Sequence, residues 1–379
     1  MRRILITGGA GFIGSHLSLK LVSEGYFVRI LDNLSKQIHG ENPEKSILYH
    51  SIKGKTDFIY GDVREKDVWS KVLEGIDTVV HLAAETGTGQ SMYEIQKYTD
   101  VNINGTAGLL DYITNQKHDI KKIIVASSRA IYGEGKYRCK NHGVVYPLAR
   151  KPVDMDKGDF EVKCPVCNMN VSVLPTDEDS KVHPTSVYGI TKQTQEELTL
   201  TCCKALDISA ISLRYQNVYG PGQSLKNPYT GILSIFSTCL INGRDVNIFE
   251  DGTESRDFVY IDDVVNATIA GIETDLHNWL HINVGTGIAT NVMTVANSLK
   301  TLYNSESKIN ISGNYRIGDI RYNYADITLL KDKLQYHPAI PFEEGIKKFA
   351  SWVKMQDIDA SVDSYERSLA EMKAKGLYK

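Results

Sequence analysis

The sequence lacks any apolar stretch near the roughly 18–20 residues that a membrane-spanning helix needs, so no membrane partner is expected. It also lacks an excess of either charge: 43 Lys and Arg stand against 46 Asp and Glu, a formal balance of -3. That balance argues against a surface built for a long polyanion, and no nucleic acid is expected, although a local basic pocket is compatible with it. Cysteine is sparse, six residues in 379, and no export signal precedes them. A disulfide framework is therefore not expected. The N-terminus turns to glycine where a signal peptide would continue its apolar run, which points to a cytoplasmic protein. No internal repeat is visible. What remains is an ordinary globular balance, 42% hydrophobic and 23% charged, in a chain long enough for one large or two ordinary domains.

Short apolar runs alternate with segments of helical spacing. Arg3–Thr7, Phe27–Leu31, Phe58–Tyr60, Thr78–Leu82, Ile123–Ala126 and Ala210–Arg214 read as strands. A helix ending near Gly25, and further ones over Glu65–Leu73, Asn102–Thr114 and Ser186–Ala205, lie between them. This rhythm predicts an α/β fold with a doubly wound parallel sheet. Residues 1–214 form the first unit. Residues 137–182 break its rhythm, being polar, cysteine-bearing and without sustained period, and read as an insertion without a hydrophobic core of its own. Residues 215–358 mainly form a smaller mixed α/β unit, some segments returning to the first, and 359–379 read as a charged, solvated terminal helix.

Thr7-Gly8-Gly9-Ala10-Gly11-Phe12-Ile13-Gly14 follows a strand and opens a helix. Glycines at this spacing allow a tight turn, backbone approach to a pyrophosphate, and close helix–strand packing. The helix N-terminus supplies unpaired N–H groups to the phosphates. A tight turn alone would use the same glycines, but Asp32 ends the second strand, where a carboxylate accepts from ribose hydroxyls and repels a 2′-phosphate, favouring NAD over NADP. Asp62 and Val63 end the third strand. Leu82, Ala83 and Ala84 follow His81 at the fourth, where small side chains leave room for the cofactor.

Tyr188 and Lys192 stand four apart at the start of a helix, hence on one face. An ammonium near a phenol favours phenolate and lowers the tyrosine pKa, making it a usable general base. Ser128 ends the fifth strand, where a hydroxyl would bridge a substrate oxygen and Tyr188. In the insertion, Cys139 and His142 followed by Cys164 and Cys167 give the spacing of a closed Cys₃His structural zinc site, with free thiols as the alternative. Cys202, Cys203 and Cys239 sit in apolar helical patterns and read as core.

Together these residues resemble the extended short-chain dehydrogenase/reductases, and within them the nucleotide-sugar epimerases and dehydratases, over nearly the whole chain apart from the insertion. The resemblance implies a Rossmann domain, a homodimer, and NAD held by Gly8, Gly11, Phe12, Ile13, Gly14, Asp32, Asn33, Asp62, Val63, Leu82, Ala83, Ala84, Asn102, Tyr188 and Lys192. It implies a nucleotide-diphosphate sugar as substrate, with Ser128, Tyr188 and Lys192 catalytic and Asn217, Arg256 and Arg321 on the diphosphate. The segment from Ala84 to Glu94 resembles that of dTDP-L-rhamnose 4-epimerases, as does the insertion, which makes Glu85, Gln90 and Ser91 expected sugar contacts.

Dehydratases of this group carry an Asp-Glu pair directly after the strand-five hydroxyl. Here those positions are Arg129 and Ala130, and neither serves as a general base. Arg129 is instead expected on the substrate. Dehydration and decarboxylation are disfavoured, leaving 4-epimerisation through a transient 4-keto sugar, first of dTDP-L-rhamnose or a related dTDP-6-deoxyhexose. A UDP-sugar 4-epimerase, a 4-ketoreductase and a non-catalytic sugar-nucleotide or NAD-binding module are the alternatives.

Overall fold

A computed structural model of the chain describes residues 2–225, 227, 229, 231–358 and 361–379, the side chains of 361–364 excepted. Its main sheet contains β1 (Arg3–Thr7), β2 (Phe27–Asp32), β3 (Asp57–Tyr60), β4 (Thr78–His81), β5 (Lys122–Ser128), and the strands Ser209–Tyr215 and Trp279–Val284. All neighbours run parallel, in the order Trp279–Val284, Ser209–Tyr215, β5, β4, β1, β2, β3. Every residue of β4 and β5 is buried, as parallel strands covered on both faces require. Alternation along β1 divides the apolar side chains: Ile4 and Ile6 join one core with Leu17 and Leu21 of the helix Phe12–Ser23. Leu5 joins the other with Leu109 and Leu110 of Gly105–Asn115 and Leu200 of Val187–Ala205. The strand order reverses between β1 and β4, so the crevice for a ligand opens at their carboxyl ends.

Two helices differ from expectation. The one predicted from Glu65 shortens to Val68–Val72. The one predicted from Asn102 begins earlier, running from Ile95 through a π-helical stretch, Thr99–Asn104, into Gly105–Asn115.

Asn217–Tyr219 pairs parallel with Ser255–Tyr260, which also pairs with Ala289–Asn291 and Tyr322–Asn323. Trp279–Val284, from the second part of the chain, returns as an edge strand of the main sheet.

The insertion folds as three short antiparallel strands, Tyr137–Cys139 between Gly143–Val145 and Ser172–Val173. Strands of two or three residues leave no readable period, which hid them in the sequence. The expectation of a coreless segment is corrected: Tyr137, Val145, Val162 and Val171 pack together with Cys139 and Cys164. Buried ion pairs anchor the insertion. Arg150 reaches Glu134 at 3.2 Å and Glu250 at 2.7 Å, and Glu250 also takes Arg321 at 2.8 Å.

The first two residues of the charged tail lie outside those described. From Tyr365 on, the tail is docked rather than solvated. Ser368 and Met372 are buried, and Lys379 exchanges backbone hydrogen bonds with Tyr315 at 2.8 and 3.0 Å. Among the described residues no helix is long and apolar enough to cross a membrane.

Candidate active site

The turn after β1 forms a cradle that side chains would fill. Gly8 adopts φ +70°, and a Cβ there would stand 2.9 Å from the Ala83 backbone. A Cβ on Gly14 would run into the Gly8 carbonyl oxygen. Asp32 closes the far side, accepting from Ala10 N at 2.9 Å and Leu34 N at 2.8 Å. Burial pushes its carboxyl above the usual range, and those two amides pull it back. Asp62 is bound at 2.8 Å by both Arg64 and Asn33, and Arg64 first among these holds its carboxyl down to about 2.

These groups line a cavity of about 410 Å³. Gly8, Gly11, Phe12, Ile13, Gly14, Asp32, Asn33, Asp62, Val63, Leu82, Ala83, Ala84, Glu85, Ser128, Tyr188 and Lys192 all contribute to its wall. A long, glycine-floored cleft with a carboxylate at one end and a phenol at the other fits a dinucleotide.

A second cavity of about 200 Å³ adjoins it and is lined by Ser128, Arg129, Ala130, Tyr188, Gln216 and Asn217 among others. Ser186 caps the helix Val187–Ala205 by accepting from Gly189 N at 3.1 Å. Gly189 lets that helix approach the turn after β5, since a Cβ would lie 2.6 Å from the Ala130 carbonyl oxygen. Tyr188 thereby stands beside Ser128, both lining the two cavities.

The electrostatics differ from the sequence expectation. Burial raises the Tyr188 pKa, opposed by the Ser128 hydrogen bond and then by the Arg129 charge. Lys192 is pushed down to about 7 by burial. Its ammonium is held by Ala126 O at 2.8 Å and Gln195 Oε1 at 2.9 Å. The cation acting on the phenol is thus Arg129, which makes no ion pair among the described residues.

Five expected ligand contacts are used elsewhere. Asn102 is fully buried, bonded to both backbone groups of Glu85 and to Thr191 Oγ1, so it braces a loop rather than lining the cofactor cavity. Gln90 bonds Gln37 and the Tyr98 hydroxyl. Ser91 accepts from Tyr188 N at 3.0 Å. Arg256 donates to the carbonyls of Ser255, Ile320 and Arg321. Arg321 is fully buried among Glu250, Asp251 and Glu161. None of the five lines either cavity. In each case local carboxylates, carbonyls or amides captured the side chain first, which a linear motif does not display.

Sequence reasoning passed over Gln216 and Gln223, which line both cavities. A signal was present. Tyr215 pairs with Ser128 in the sheet, so Gln216 lies one step past that level at the same sheet edge.

Away from this crevice, the ligand atoms of Cys139, His142, Cys164 and Cys167 all lie within 4.8 Å of one another. Cys139 Sγ stands 3.5 Å from His142 Nδ1 and 3.7 Å from Cys167 Sγ, and Cys164 Sγ is 3.6 Å from the same imidazole nitrogen.

The model of the NAD dependent epimerase/dehydratase family matches residues 4–149 and 167–285. The dTDP-L-rhamnose 4-epimerase of Burkholderia thailandensis is 34% identical over 361 residues, covering 94% of this chain and 96% of that protein. The structure of UDP-glucose 4-epimerase from Thermotoga maritima with UDP-glucose is similar at TM-score 0.74 and 31% identity, covering 93% of this chain and 98% of that one. UDP-glucuronic acid 4-epimerase from Bacillus cereus, with UDP-glucuronic acid and NAD, is similar at TM-score 0.75 and 27% identity, covering 93% and 99%.

Proposed function

The chain belongs to the NAD dependent epimerase/dehydratase family, and from that membership we propose that it is an NAD-dependent nucleotide-sugar 4-epimerase working through a transient 4-keto sugar. One observation carries this reading. Ser128 and Tyr188 stand where the two cavities meet, Lys192 lies alongside, and the two positions after Ser128 hold Arg129 and Ala130. The reaction can therefore oxidise and re-reduce an alcohol carbon, while neither position offers an acid or base to expel water.

The glycine turn and Asp32 would hold NAD, which when bound would supply the hydride acceptor and donor. Tyr188 accepts the hydroxyl proton as the carbonyl forms and gives it back to that oxygen after the sugar has turned its opposite face to the hydride donor. Ser128 positions the reacting oxygen beside the phenol. Arg129 stabilises the phenolate, and Lys192 fixes the helix to β5. Asn217, at the wall of the smaller cavity, holds the diphosphate side while the sugar turns.

The substrate we favour is dTDP-L-rhamnose or a related dTDP-6-deoxyhexose, following the Burkholderia relative. The likeness to the Thermotoga enzyme keeps a UDP-sugar as the second reading. Incubation of pure protein with a panel of dTDP- and UDP-sugars, without added cofactor, tests both. Formation of the 4-epimer with no net reduced cofactor is expected. An absolute requirement for added NADPH would instead mark a 4-ketoreductase, and binding without turnover a non-catalytic module.

Structural zinc in the insertion belongs to the same proposal. Four ligands tetrahedrally around an ion, at roughly 2.3 Å for sulfur and 2.0–2.1 Å for nitrogen, stand roughly 3.5–3.8 Å apart. The three spacings above fall in that range. Four protein ligands leave no open position, so the ion serves folding rather than chemistry. Metal analysis after purification without added zinc should give one ion per chain, and a content well below one removes the assignment.

A second copy of the chain is the expected partner, pairing through Gly105–Asn115 and Val187–Ala205; light scattering in solution distinguishes dimer from monomer. None of the six cysteines is joined in a disulfide, in keeping with the cytoplasmic setting we propose, which cell fractionation tests.

A further inference from the structure

Six residues line both cavities: Ser128, Tyr188, Gln216, Val218, Gln223 and Gly231. The hydroxyl oxygen of Ser128 accepts from Ala130 N at 3.2 Å, and Tyr188 has no buried unpaired oxygen among the described residues. Gln216 differs from them. It is 5% exposed, and neither Nε2 nor Oε1 has a hydrogen-bond partner. Its backbone is fixed, since Gln216 N donates to Val284 O at 2.9 Å. Room for its side chain is made by Gly285, where a Cβ would stand 2.5 Å from Gln216 Cγ. Beside it, Gln223 Oε1 is also buried and unpaired. A desolvated carboxamide with nothing to bond is costly, and buried amides in native proteins are almost always paired. Here the pairing is left to what fills the junction.

We propose that Gln216 contacts the sugar of the nucleotide-sugar substrate at the reacting carbon, donating from Nε2 to the carbonyl oxygen and accepting at Oε1 from a neighbouring hydroxyl. The inference rests on the epimerase reading and names a substrate-contacting residue within it. The side chain suits the task for a chemical reason. A 4-keto sugar that turns over presents a ketone and a hydroxyl in changed places, and a carboxamide carries both donors and an acceptor. A charged side chain, donor-only or acceptor-only, matches one arrangement better than the other. Gln216 holds the ketone in both orientations and so retains it until hydride returns.

The test uses the NAD-loaded enzyme and its Gln216→Leu and Gln216→Met variants, with the sugar nucleotide that the panel identifies. Both variants should keep their NAD content and bind the free nucleoside diphosphate as the wild type does. Their melting temperatures should rise or hold, since an unpaired amide is removed. Turnover per KM should fall about 10- to 100-fold, the loss of one or two hydrogen bonds in the transition state. Ketone that escapes before re-reduction leaves one reduced cofactor behind per molecule lost, so reduced cofactor should build up on the variants during turnover. Wild-type kinetics in both variants overturns the inference and leaves the epimerase reading intact. Loss of NAD from the variants overturns it by placing Gln216 on the cofactor. A lowered melting temperature overturns it by giving the amide a structural partner. A wild-type enzyme that epimerises no nucleotide sugar overturns both readings.

Discussion

The ammonium of Lys192 donates to the carbonyl oxygen of Ala126 at 2.8 Å, tying the helix that carries the phenol to the strand that carries the serine. The same helix is fixed at its start by Ser186 and by Ser91, which accepts from Tyr188 N at 3.0 Å. None of these ties uses the phenolic oxygen. Tyr188→Phe should therefore fold, retain NAD and lose turnover by about 100- to 10,000-fold. Cofactor content of the purified variant, measured beside its rate, checks both halves.

The rate should climb with pH. Burial raises the Tyr188 pKa, so protonated phenol dominates at neutrality and the basic form grows as pH rises. The Arg129 cation favours phenolate; removing it raises the pKa further. Arg129→Met should move the rising limb of turnover per KM to higher pH, with partial recovery in Arg129→Lys. A profile unmoved by Arg129→Met would mean that this charge serves the substrate rather than the base.

His81 gives stability a pH dependence of known sign. It is fully buried between Thr7 and Thr106 hydroxyls, at 2.7 and 2.9 Å. Burial first, then the Lys192 charge, pushes its pKa down to about 3. Between that value and its usual 6.5, the unfolded chain binds a proton that the folded one does not. Stability complete above pH 6.5 is therefore lost as pH falls, by about 2 kcal/mol at pH 5. Denaturant unfolding at pH 7.5 and 5.0 should show this loss, and His81→Gln should flatten it.

Arg321 separates stability from binding. Its guanidinium is enclosed by Glu250, Asp251 and Glu161. Arg321→Met takes from the buried Glu250 one of its two cations and should cost about 1.5–3 kcal/mol in denaturant unfolding. At a temperature where the variant is folded, its KM for the nucleotide sugar should match wild type. A selective rise in KM would restore the diphosphate role that the linear motif suggested.

Asp32 should set cofactor choice. Asp32→Ser removes the carboxylate held by Ala10 N and Leu34 N. Competition binding should show the preference for NAD over NADP reduced by about 10- to 100-fold, with NAD itself held less tightly.

The parts legible in the sequence were those whose chemistry is local. The glycine turn is contiguous, Asp32 ends its strand, and Tyr188 and Lys192 share a helix face by spacing alone. Strand alternation gave the sheet because fully buried parallel strands are apolar runs. What escaped was set by distant partners. Arg321 reads as a phosphate ligand until Glu250, some seventy residues earlier in the chain, is folded beside it. Asn102 reads as a cofactor contact until the Glu85 loop takes its amide. Gln216 was invisible for the opposite reason, its significance being the partner it does not have.

The Arg150–Glu134–Glu250–Arg321 cluster bears on how such a segment can be moved between proteins. Arg150 belongs to the insertion, while Glu250 and Arg321 lie far downstream. Grafting residues 137–182 into a relative that lacks those partners would strand a cation inside an apolar interior. Excising them here would leave Glu134 without its ion-pair partner and Glu250 without one of its two. Transplantation in either direction has to carry the distant residues along, which makes the segment an integral organ of the enzyme rather than a detachable ornament.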